Sequence, residues 1–310
     1  MGKLAFIFPG QGSQYVGMGK DICDNFLCAK KIFERADEVL HYDISKIYFN
    51  GPEDVLKQTE NTQPAILVHS IACYEILAEN NILPHMVAGL SLGEYSALVA
   101  AGSIEFSDAV PLVQKRGMFM QEAVPLGKGT MAAIIGLEKD EIMQVCNMAS
   151  EFGIVEPANF NCPNQIVITG EVPAVKKAAD IVKQKGARAV MLSVSAPFHS
   201  SLLKPAGEKL AVELDNIEIK DADIPLVSNV TAKITTKSRD IKDLLVKQVS
   251  SPILWEDSII NMVENGIDTF VEVGPGKTLS GFVRKINRNL TVLNMHGLAS
   301  IENTLKYLGG

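Results

Sequence analysis

Cysteine is scarce in this sequence, and long apolar runs are absent from it. Its five cysteines include no Cys-x-x-Cys pair, which argues against both a disulfide framework and a zinc cluster. The thiols therefore predict a reducing, cytoplasmic location. The uncharged run at residues 189–203 contains proline, histidine and four serines, and no segment has the composition of a membrane span. We expect a soluble protein.

Basic residues are also outnumbered, because 29 Lys and Arg stand against 36 Asp and Glu, a net charge of −7. No long block of Lys or Arg interrupts this balance, which argues against a nucleic-acid partner. The apolar run near the N-terminus is too short for a secretory signal, and Phe6 stands where a myristoylation signal requires Ser or Thr. We expect neither kind of processing.

Short apolar runs alternate with longer helical periods along the chain, and this alternation predicts an α/β fold. A chain of 310 residues is large for one compact unit. Between residues 131 and 194 the pattern predicts β-α-β-β-α-β, the ferredoxin-like order. We therefore assign residues 128–195 to a ferredoxin-like subdomain that is inserted in a main domain of residues 1–127 and 196–310. In the main domain, a helix is predicted at residues 62–79 with Thr62 as its N-cap.

Ser91 lies in the motif Gly-Leu-Ser-Leu-Gly, after a predicted strand at residues 85–88 and before an Ala- and Leu-rich segment that favours a helix. Small residues on both sides let the chain reverse sharply, so that the hydroxyl projects above the sheet. The N-terminus of the helix then offers unpaired N–H groups to an oxyanion. This context predicts a nucleophile. The alternative is a serine that only caps the helix.

A serine nucleophile needs a base, and His199 has the most suitable position among the five histidines. It follows residues 187–194, a predicted strand, and α/β folds place functional groups at strand ends. The alternative is an ordinary loop histidine. No suitable carboxylate stands between Ser91 and His199, where an α/β-hydrolase triad needs one. A main-chain carbonyl is therefore the expected orienting group.

Arg116 lies in a predicted helix whose other face is apolar. Its side chain either extends to water or turns toward Ser91, where its planar fork matches a carboxylate. Composition leaves both alternatives open. Two glycine-rich stretches, FPGQGSQ and EVGPGKTLSGF, lack the spacing of nucleotide-binding loops and are interpreted as turns.

Five motifs follow one another along the chain: FPGQGSQ (8–14), GLSLGEYSAL (89–98), QKRGMFMQEA (114–123), APFHS (196–200) and VEVGPGKTLSGFVRK (271–285). Together they closely resemble the malonyl-CoA:acyl carrier protein transacylases of fatty acid synthesis, over nearly the whole chain. The resemblance implies an α/β-hydrolase-like core with a ferredoxin-like insertion. It also implies malonyl-CoA and acyl carrier protein as partners, with no metal or redox cofactor.

The same resemblance implies roles for the central residues. Ser91 resembles the acyl-accepting nucleophile and His199 resembles its base. The backbone N–H groups of Gln11 and Leu92 resemble the oxyanion hole. This sequence has Leu90 where the family commonly has His, which bears on the packing and polarity of the turn around Ser91.

Substrate recognition is implied in the same way. Arg116 resembles the partner of the malonyl carboxylate, Gln248 the residue whose main-chain carbonyl orients the histidine, and Phe198 the aromatic residue that narrows the pocket for malonyl. Acyl carrier proteins are typically acidic, so a basic patch on a predicted helix is the expected docking surface. The patch comprises Lys277, Arg284, Lys285 and Arg288.

The implied activity is ping-pong transfer of malonyl from coenzyme A to the phosphopantetheine thiol of a carrier protein, through an acyl-enzyme on Ser91. The carrier serves either fatty acid or polyketide synthesis. Two other classes stay open. One is a serine esterase or thioesterase that uses the same Ser and His with water as acceptor. The other is a non-catalytic module that binds carrier protein and has an inert Ser91.

Overall fold

The computed structural model describes residues 2–194 and 196–309. In chain order its strands are β1 Lys3–Phe8, β2 Met86–Gly89, β3 Gly129–Ile135, β4 Val155–Cys162, β5 Gln165–Glu171, β6 Arg188–Met191, β7 Leu226–Val227, β8 Ile234–Thr235, β9 Ile267–Val273 and β10 Thr291–Met295. Its helices are α1 Lys20–Asn25, α2 Leu27–Leu40, α3 Ile44–Asn50, α4 Glu53–Leu56, α5 Thr59–Glu79, α6 Gly93–Ala100, α7 Phe106–Glu122, α8 Lys139–Ala149, α9 Val172–Gln184, α10 Lys204–Asp215, α11 Ser238–Gln248, α12 Trp255–Glu264, α13 Thr278–Ile286 and α14 Leu298–Gly309. Single 3₁₀ turns lie at Ser150–Phe152 and Ser201–Leu203. The predicted α/β class is confirmed.

The larger sheet has the strand order β10-β9-β1-β2-β7-β8. All neighbouring pairs in it are parallel except β7 with β8. Its two central strands are buried along almost their whole length, as expected for parallel strands that are covered by helices on both faces. The carboxyl ends of β1, β2 and β9 therefore meet at one edge of the sheet.

The smaller sheet has the order β4-β5-β3-β6 and is antiparallel throughout. With α8 and α9 it gives the β-α-β-β-α-β sequence that the apolar pattern predicts. Residues from these strands and helices form an apolar cluster of their own, which includes Ile134, Val145, Ile168 and Val182. The division of the chain at residues 128 and 195 stays a prediction, and Ser195 lies outside the described residues.

Three local predictions were wrong. Thr62 is not an N-cap, because α5 begins one turn earlier at Thr59 and the Thr62 hydroxyl donates to the carbonyl of Leu56. The strand before His199 ends at Met191, so His199 lies on a turn well beyond it. The helix that carries the basic patch ends at Ile286, where Asn287 takes an extended conformation and leads the chain into β10.

In the two described ranges, no helix combines the length and the apolar composition that a bilayer crossing requires.

Candidate active site

The site is built at the carboxyl edge of the larger sheet, where β1 and β2 end side by side. Phe8 pairs with Gly89, and the N–H of Leu90 continues the ladder by donating to the carbonyl of Phe8 at 3.0 Å. The loop after β1 thereby lies against the turn that carries Ser91. Parallel α/β sheets generally bind ligands at this edge.

Glycine is required on both sides of Ser91 by close packing of the backbone. A Cβ added to Gly89 would lie 1.9 Å from the backbone of Gly93, and one added to Gly93 would lie 2.1 Å from the carbonyl oxygen of Phe8. The turn therefore brings α6 directly onto the two central strands. Ser91 itself has φ 54°, a left-handed conformation that is rare for a residue with a side chain.

Ser91 and His199 form a hydrogen-bonded pair across the site. The Ser91 Oγ lies 2.8 Å from His199 Nε2, and His199 Nδ1 lies 2.9 Å from the main-chain carbonyl oxygen of Gln248. A carbonyl only accepts, so Nδ1 carries the proton and Nε2 is left as an acceptor for the serine hydroxyl. The three residues thus lie in the arrangement of a nucleophile, a base and an orienting group.

The imidazole of His199 is held in its neutral form. Burial and, to a smaller extent, the positive charge of Arg116 lower the pKa of His199 to about 3, while the hydrogen bond to Gln248 acts in the opposite direction. An imidazole with such a pKa is unprotonated at neutral pH. It can therefore accept a proton from Ser91 throughout the physiological range.

Arg116 turns toward Ser91 rather than toward water. It lies on the buried face of α7 with Val113, Gly117 and Met120, at helical spacing, and it is only 1% exposed. Its Nη2 lies 3.2 Å from Ser91 Oγ. A buried guanidinium beside a serine hydroxyl is a preformed partner for an anionic group that is attached to that serine.

The guanidinium of Arg116 is held from both ends by neutral amides. Nη1 donates to Gln63 Oε1 at 2.8 Å, and Nη2 donates to Gln248 Oε1 at 2.9 Å. The ring of Tyr95 lies 5.3 Å from the guanidinium carbon, within the range of a cation–π contact. Burial lowers the pKa of Arg116, although an arginine stays charged in proteins. Its orientation is thus set before a ligand arrives.

Two backbone N–H groups are available beside Ser91. The amides of Gly93, Glu94 and Tyr95 donate to carbonyls three residues earlier. In the described part of the chain, no such hydrogen bond uses the N–H of Leu92, which lies at the start of α6, or that of Gln11. The loop that holds Gln11 contacts the turn, because a Cβ on Gly10 would lie 2.4 Å from the carbonyl oxygen of Leu90.

The remaining residues expected around the pocket have ordinary positions in the core. Phe198 is buried, 7% exposed, in the main apolar cluster. Leu90 packs, partly buried, against a second cluster that contains Ile7 and Trp255. The side chain that replaces the family's histidine therefore contributes to apolar packing.

Sequence reasoning missed three polar residues of the site. Gln63, Glu94 and Asn229 are almost completely buried, and each bonds to Arg116, Gln248 or Ser91. Glu94 lies inside one of the quoted motifs, three residues after Ser91. A charged residue within an otherwise apolar helix was the available signal for it. Gln63 and Asn229 carry no local signal, because their partners are 53 and 138 residues away.

The four basic residues are exposed, but only two of them lie within α13. Lys277 is the N-cap of α13, Arg284 and Lys285 lie in its last turn, and Arg288 follows its end. Because β9 and β10 are parallel, α13 runs from the carboxyl edge of the sheet to the opposite edge. Its nine residues span about 13 Å. Only Lys277 thus lies at the edge that carries Ser91.

Comparison with known proteins gives consistent results. Residues 5–301 match the family described as acyl transferase domain. The chain is 49% identical to the malonyl CoA-acyl carrier protein transacylase of Bacillus subtilis (strain 168), over 99% of this chain and 98% of that protein. The crystal structure of the Clostridium perfringens malonyl CoA-acyl carrier protein transacylase is similar with a TM-score of 0.96 and 48% identity, over 99% of this chain and 97% of that chain. A malonyl-transacylase solved in complex with its type II PKS acyl-carrier protein is similar with a TM-score of 0.96 and 42% identity, over 98% and 99% of the two chains.

Proposed function

This chain belongs to the acyl transferase family, alongside malonyl CoA-acyl carrier protein transacylases, and from that premise we propose how its residues carry out malonyl transfer. The enzyme moves a malonyl group from malonyl-CoA to an acyl carrier protein. The group passes through an ester on Ser91. The observation that carries this proposal is the contact of 2.8 Å between Ser91 Oγ and His199 Nε2.

In the first half of the reaction, Ser91 Oγ attacks the thioester carbonyl carbon while its proton passes to His199 Nε2. The C–S bond then breaks, and the leaving thiolate of coenzyme A takes the proton from His199. Gln248 supports this exchange, because its carbonyl accepts from Nδ1 and stabilises the imidazolium that forms. In the second half, the pantetheine thiol of the carrier attacks the ester carbonyl while its proton passes to His199 Nε2. The bond from the acyl carbon to Ser91 Oγ then breaks, and Ser91 Oγ takes the proton from His199.

The negative charge that develops on the carbonyl oxygen is stabilised by the N–H groups of Gln11 and Leu92. Both groups lie where the loop after β1 meets the start of α6. A fixed pair of amide donors requires no reorganisation during the reaction, and one such donor contributes about 3 kcal/mol to catalysis. No metal or redox cofactor is needed, since these groups supply nucleophile, base and charge stabilisation.

Arg116 selects the malonyl group. Its Nη2 already reaches Ser91 Oγ, and a single methylene group separates the carboxylate of a malonyl ester from the ester carbonyl. A planar pair of N–H donors binds that carboxylate in a water-poor pocket, where the interaction is strong. This clamp distinguishes a malonyl transferase from the alternative, a serine esterase or thioesterase, which has no use for it.

The two sheets support an α/β-hydrolase-like core and a ferredoxin-like subdomain. The parallel sheet with Ser91 on the turn after β2 is typical of an α/β-hydrolase-like core. The sheet order β4-β5-β3-β6 with α8 and α9 is typical of a ferredoxin-like subdomain. The cytoplasmic location follows from the five free thiols.

The carrier protein docks on the exposed basic residues of α13 and its flanks, Lys277, Arg284, Lys285 and Arg288. An acidic partner is attracted to a local positive patch even when the whole enzyme carries a net charge of −7. Of the four residues, Lys277 contributes most to carrier binding, because it lies at the edge of the sheet that carries Ser91. The carrier serves fatty acid synthesis, and a polyketide carrier is the alternative.

Mass spectrometry after brief exposure to malonyl-CoA tests the mechanism. A malonyl mass is expected on the peptide that contains Ser91. It should be absent from Ser91→Ala and should form at least about a hundredfold more slowly in His199→Ala, as when a general base is removed. Persistence of the adduct in water until carrier protein is added excludes a hydrolase. Labelling at the wild-type rate in either variant would overturn the assigned roles.

A further inference from the structure

The backbone of Ser91 is held by two side-chain amides from distant parts of the chain. Asn229 Oδ1 accepts from the N–H of Ser91 at 2.6 Å, and Gln248 Nε2 donates to the carbonyl of Ser91 at 3.0 Å. Asn229 Nδ2 also donates to the carbonyl of Gly89 at 2.7 Å. A left-handed conformation at a non-glycine residue is costly and persists only when its surroundings fix it. These two amides supply that constraint.

Glu94 in turn holds the side-chain amide of Gln248 and the backbone of Asn229. Gln248 Nε2 lies 2.7 Å from Glu94 Oε2, and the backbone N–H of Asn229 donates to the same oxygen at 3.2 Å. Glu94 is 2% exposed and lies in the first turn of α6, whereas Gln248 ends α11 and Asn229 follows β7. One buried carboxylate therefore joins three separate elements beneath Ser91.

The chemistry of a carboxylate determines which way the Gln248 amide faces. An ionised carboxylate accepts hydrogen bonds and cannot donate them, so it requires the NH₂ end of the amide on its side. The oxygen end then faces Arg116, from which it accepts at 2.9 Å. The reverse orientation would place NH₂ against the guanidinium and oxygen against both Glu94 and the carbonyl of Ser91. Three unfavourable contacts would replace three favourable ones.

We propose that Glu94 is a positioning residue for the transfer, which fixes the side-chain amide of Gln248 and the backbone of Asn229 so that Ser91, His199 and Arg116 keep their relative geometry. It touches neither substrate nor the reacting atoms. The proposal rests on the proposed function and adds the residue on which the arrangement depends. Gln248 carries the effect to all three, because its carbonyl bonds His199 while its side chain bonds Arg116 and Ser91.

Burial of this carboxylate is costly. It raises the pKa of Glu94 to about 7, even though the bonds to Gln248 and Asn229 and the charge of Arg116 act in the opposite direction. An apolar side chain of similar volume would avoid that cost. The gain from the carboxylate therefore lies in the orientation of its partners.

The test compares Glu94→Gln with a matched control, Glu272→Gln. Glu272 is also fully buried, at the carboxyl end of β9, and accepts from the backbone N–H groups of Leu279 and Ser280 at 3.0 and 2.7 Å. Among the described residues it makes no hydrogen bond to Ser91, His199, Arg116, Gln248 or Asn229, so its variant measures the effect of removing a buried negative charge alone. Thermal unfolding and the single-turnover rate of Ser91 malonylation are measured for both variants at pH 8.

Glu94→Gln should lower the maximum rate of malonylation at least tenfold, with the malonyl-CoA concentration for half-maximal rate changed less than threefold. The amide replaces a charged acceptor by a neutral oxygen or an NH₂ group, either of which holds Gln248 and Asn229 less firmly, so the site relaxes while Arg116 still binds the substrate. Acetyl loading should fall by the same factor. Glu272→Gln should lose thermal stability and keep the wild-type rate. The side chain in Glu94→Asp is too short for its carboxylate to reach both partners. Its malonylation rate should lie between those of the wild type and Glu94→Gln.

A folded Glu94→Gln that loads malonyl at the wild-type rate would overturn the proposal. So would a rate loss of equal size in Glu272→Gln. If Glu94→Gln does not fold, the malonylation rate of Glu94→Asp is used as the test instead. If neither variant folds, Glu94 contributes to stability alone and the positioning role is overturned. Failure of the proposed function is distinguishable, because wild-type protein would then carry no malonyl on Ser91.

Discussion

Replacement of Arg116 by alanine tests the origin of substrate selectivity. The guanidinium is 1% exposed and is held by Gln63 and Gln248 at 2.8 and 2.9 Å, so it is fixed before the substrate binds. Removal leaves the malonyl carboxylate without a partner in a desolvated pocket, a loss of about 2–5 kcal/mol. At about 1.4 kcal/mol for each tenfold change, kcat/KM for malonyl-CoA should fall roughly 30- to 5,000-fold.

The assay compares malonyl-CoA with acetyl-CoA on the same variant. Arg116→Ala also leaves the amide oxygens of Gln63 and Gln248 without their donor, and this disturbance lowers the rates for both substrates. The ratio of the two kcat/KM values cancels the shared loss and measures the carboxylate clamp alone. Arg116→Lys is the control variant, because it keeps the charge and loses the planar fork.

We expect the ratio of malonyl to acetyl transfer to fall steeply in Arg116→Ala and by an intermediate factor in Arg116→Lys. An equal loss for both acyl groups would refute the reasoning. It would mean that Arg116 supports the site structurally, through Gln63 and Gln248, and that selectivity for malonyl has another origin.

Three further predictions address the pocket wall, the docking surface and the acid sensitivity of the fold. Phe198→Ser should widen the pocket and raise the ratio of methylmalonyl to malonyl loading by roughly tenfold, and an unchanged ratio would count against its assigned role. Lys277→Glu should raise KM for the carrier protein about threefold or more, while the rate of loading from malonyl-CoA stays near that of the wild type. Arg288→Glu, the matched charge reversal at the far end of α13, should raise this KM less. Equal increases in the two variants would mean that the carrier docks elsewhere. Burial lowers the pKa of His69 to about 4. Between pH 6.5 and 4 the unfolded chain therefore binds more protons than the folded protein, and the free energy of unfolding decreases as the pH is lowered. This histidine should account for about 3 kcal/mol of the loss at pH 4. In denaturant unfolding, His69→Leu should lose less unfolding free energy between pH 6.5 and 4 than the wild type does. An unchanged pH dependence would contradict the explanation.

The sequence by itself determined the class of the fold, the order of elements between residues 131 and 194, and the candidate residues at the centre of the site. These features depend on local patterns. Apolar periodicity predicted β-α-β-β-α-β between residues 131 and 194, and the two glycines around Ser91 predicted the sharp turn that the close approach of α6 to β1 requires. The proposals of His199 as the base and of Arg116 as the carboxylate partner followed from residue type together with the motifs.

Tertiary structure alone decided how these residues are connected. Composition left Arg116 free to face water or Ser91, and the packing of α7 turned it inward. Asn229 and Glu94 belong to elements that the parallel sheet brings together across 135 residues of chain. Helix ends also escaped prediction, as at Ile286, where the chain must turn to reach the next strand. Periodicity and capping act over a few residues, whereas the partners of a buried polar group are chosen by the path of the whole chain.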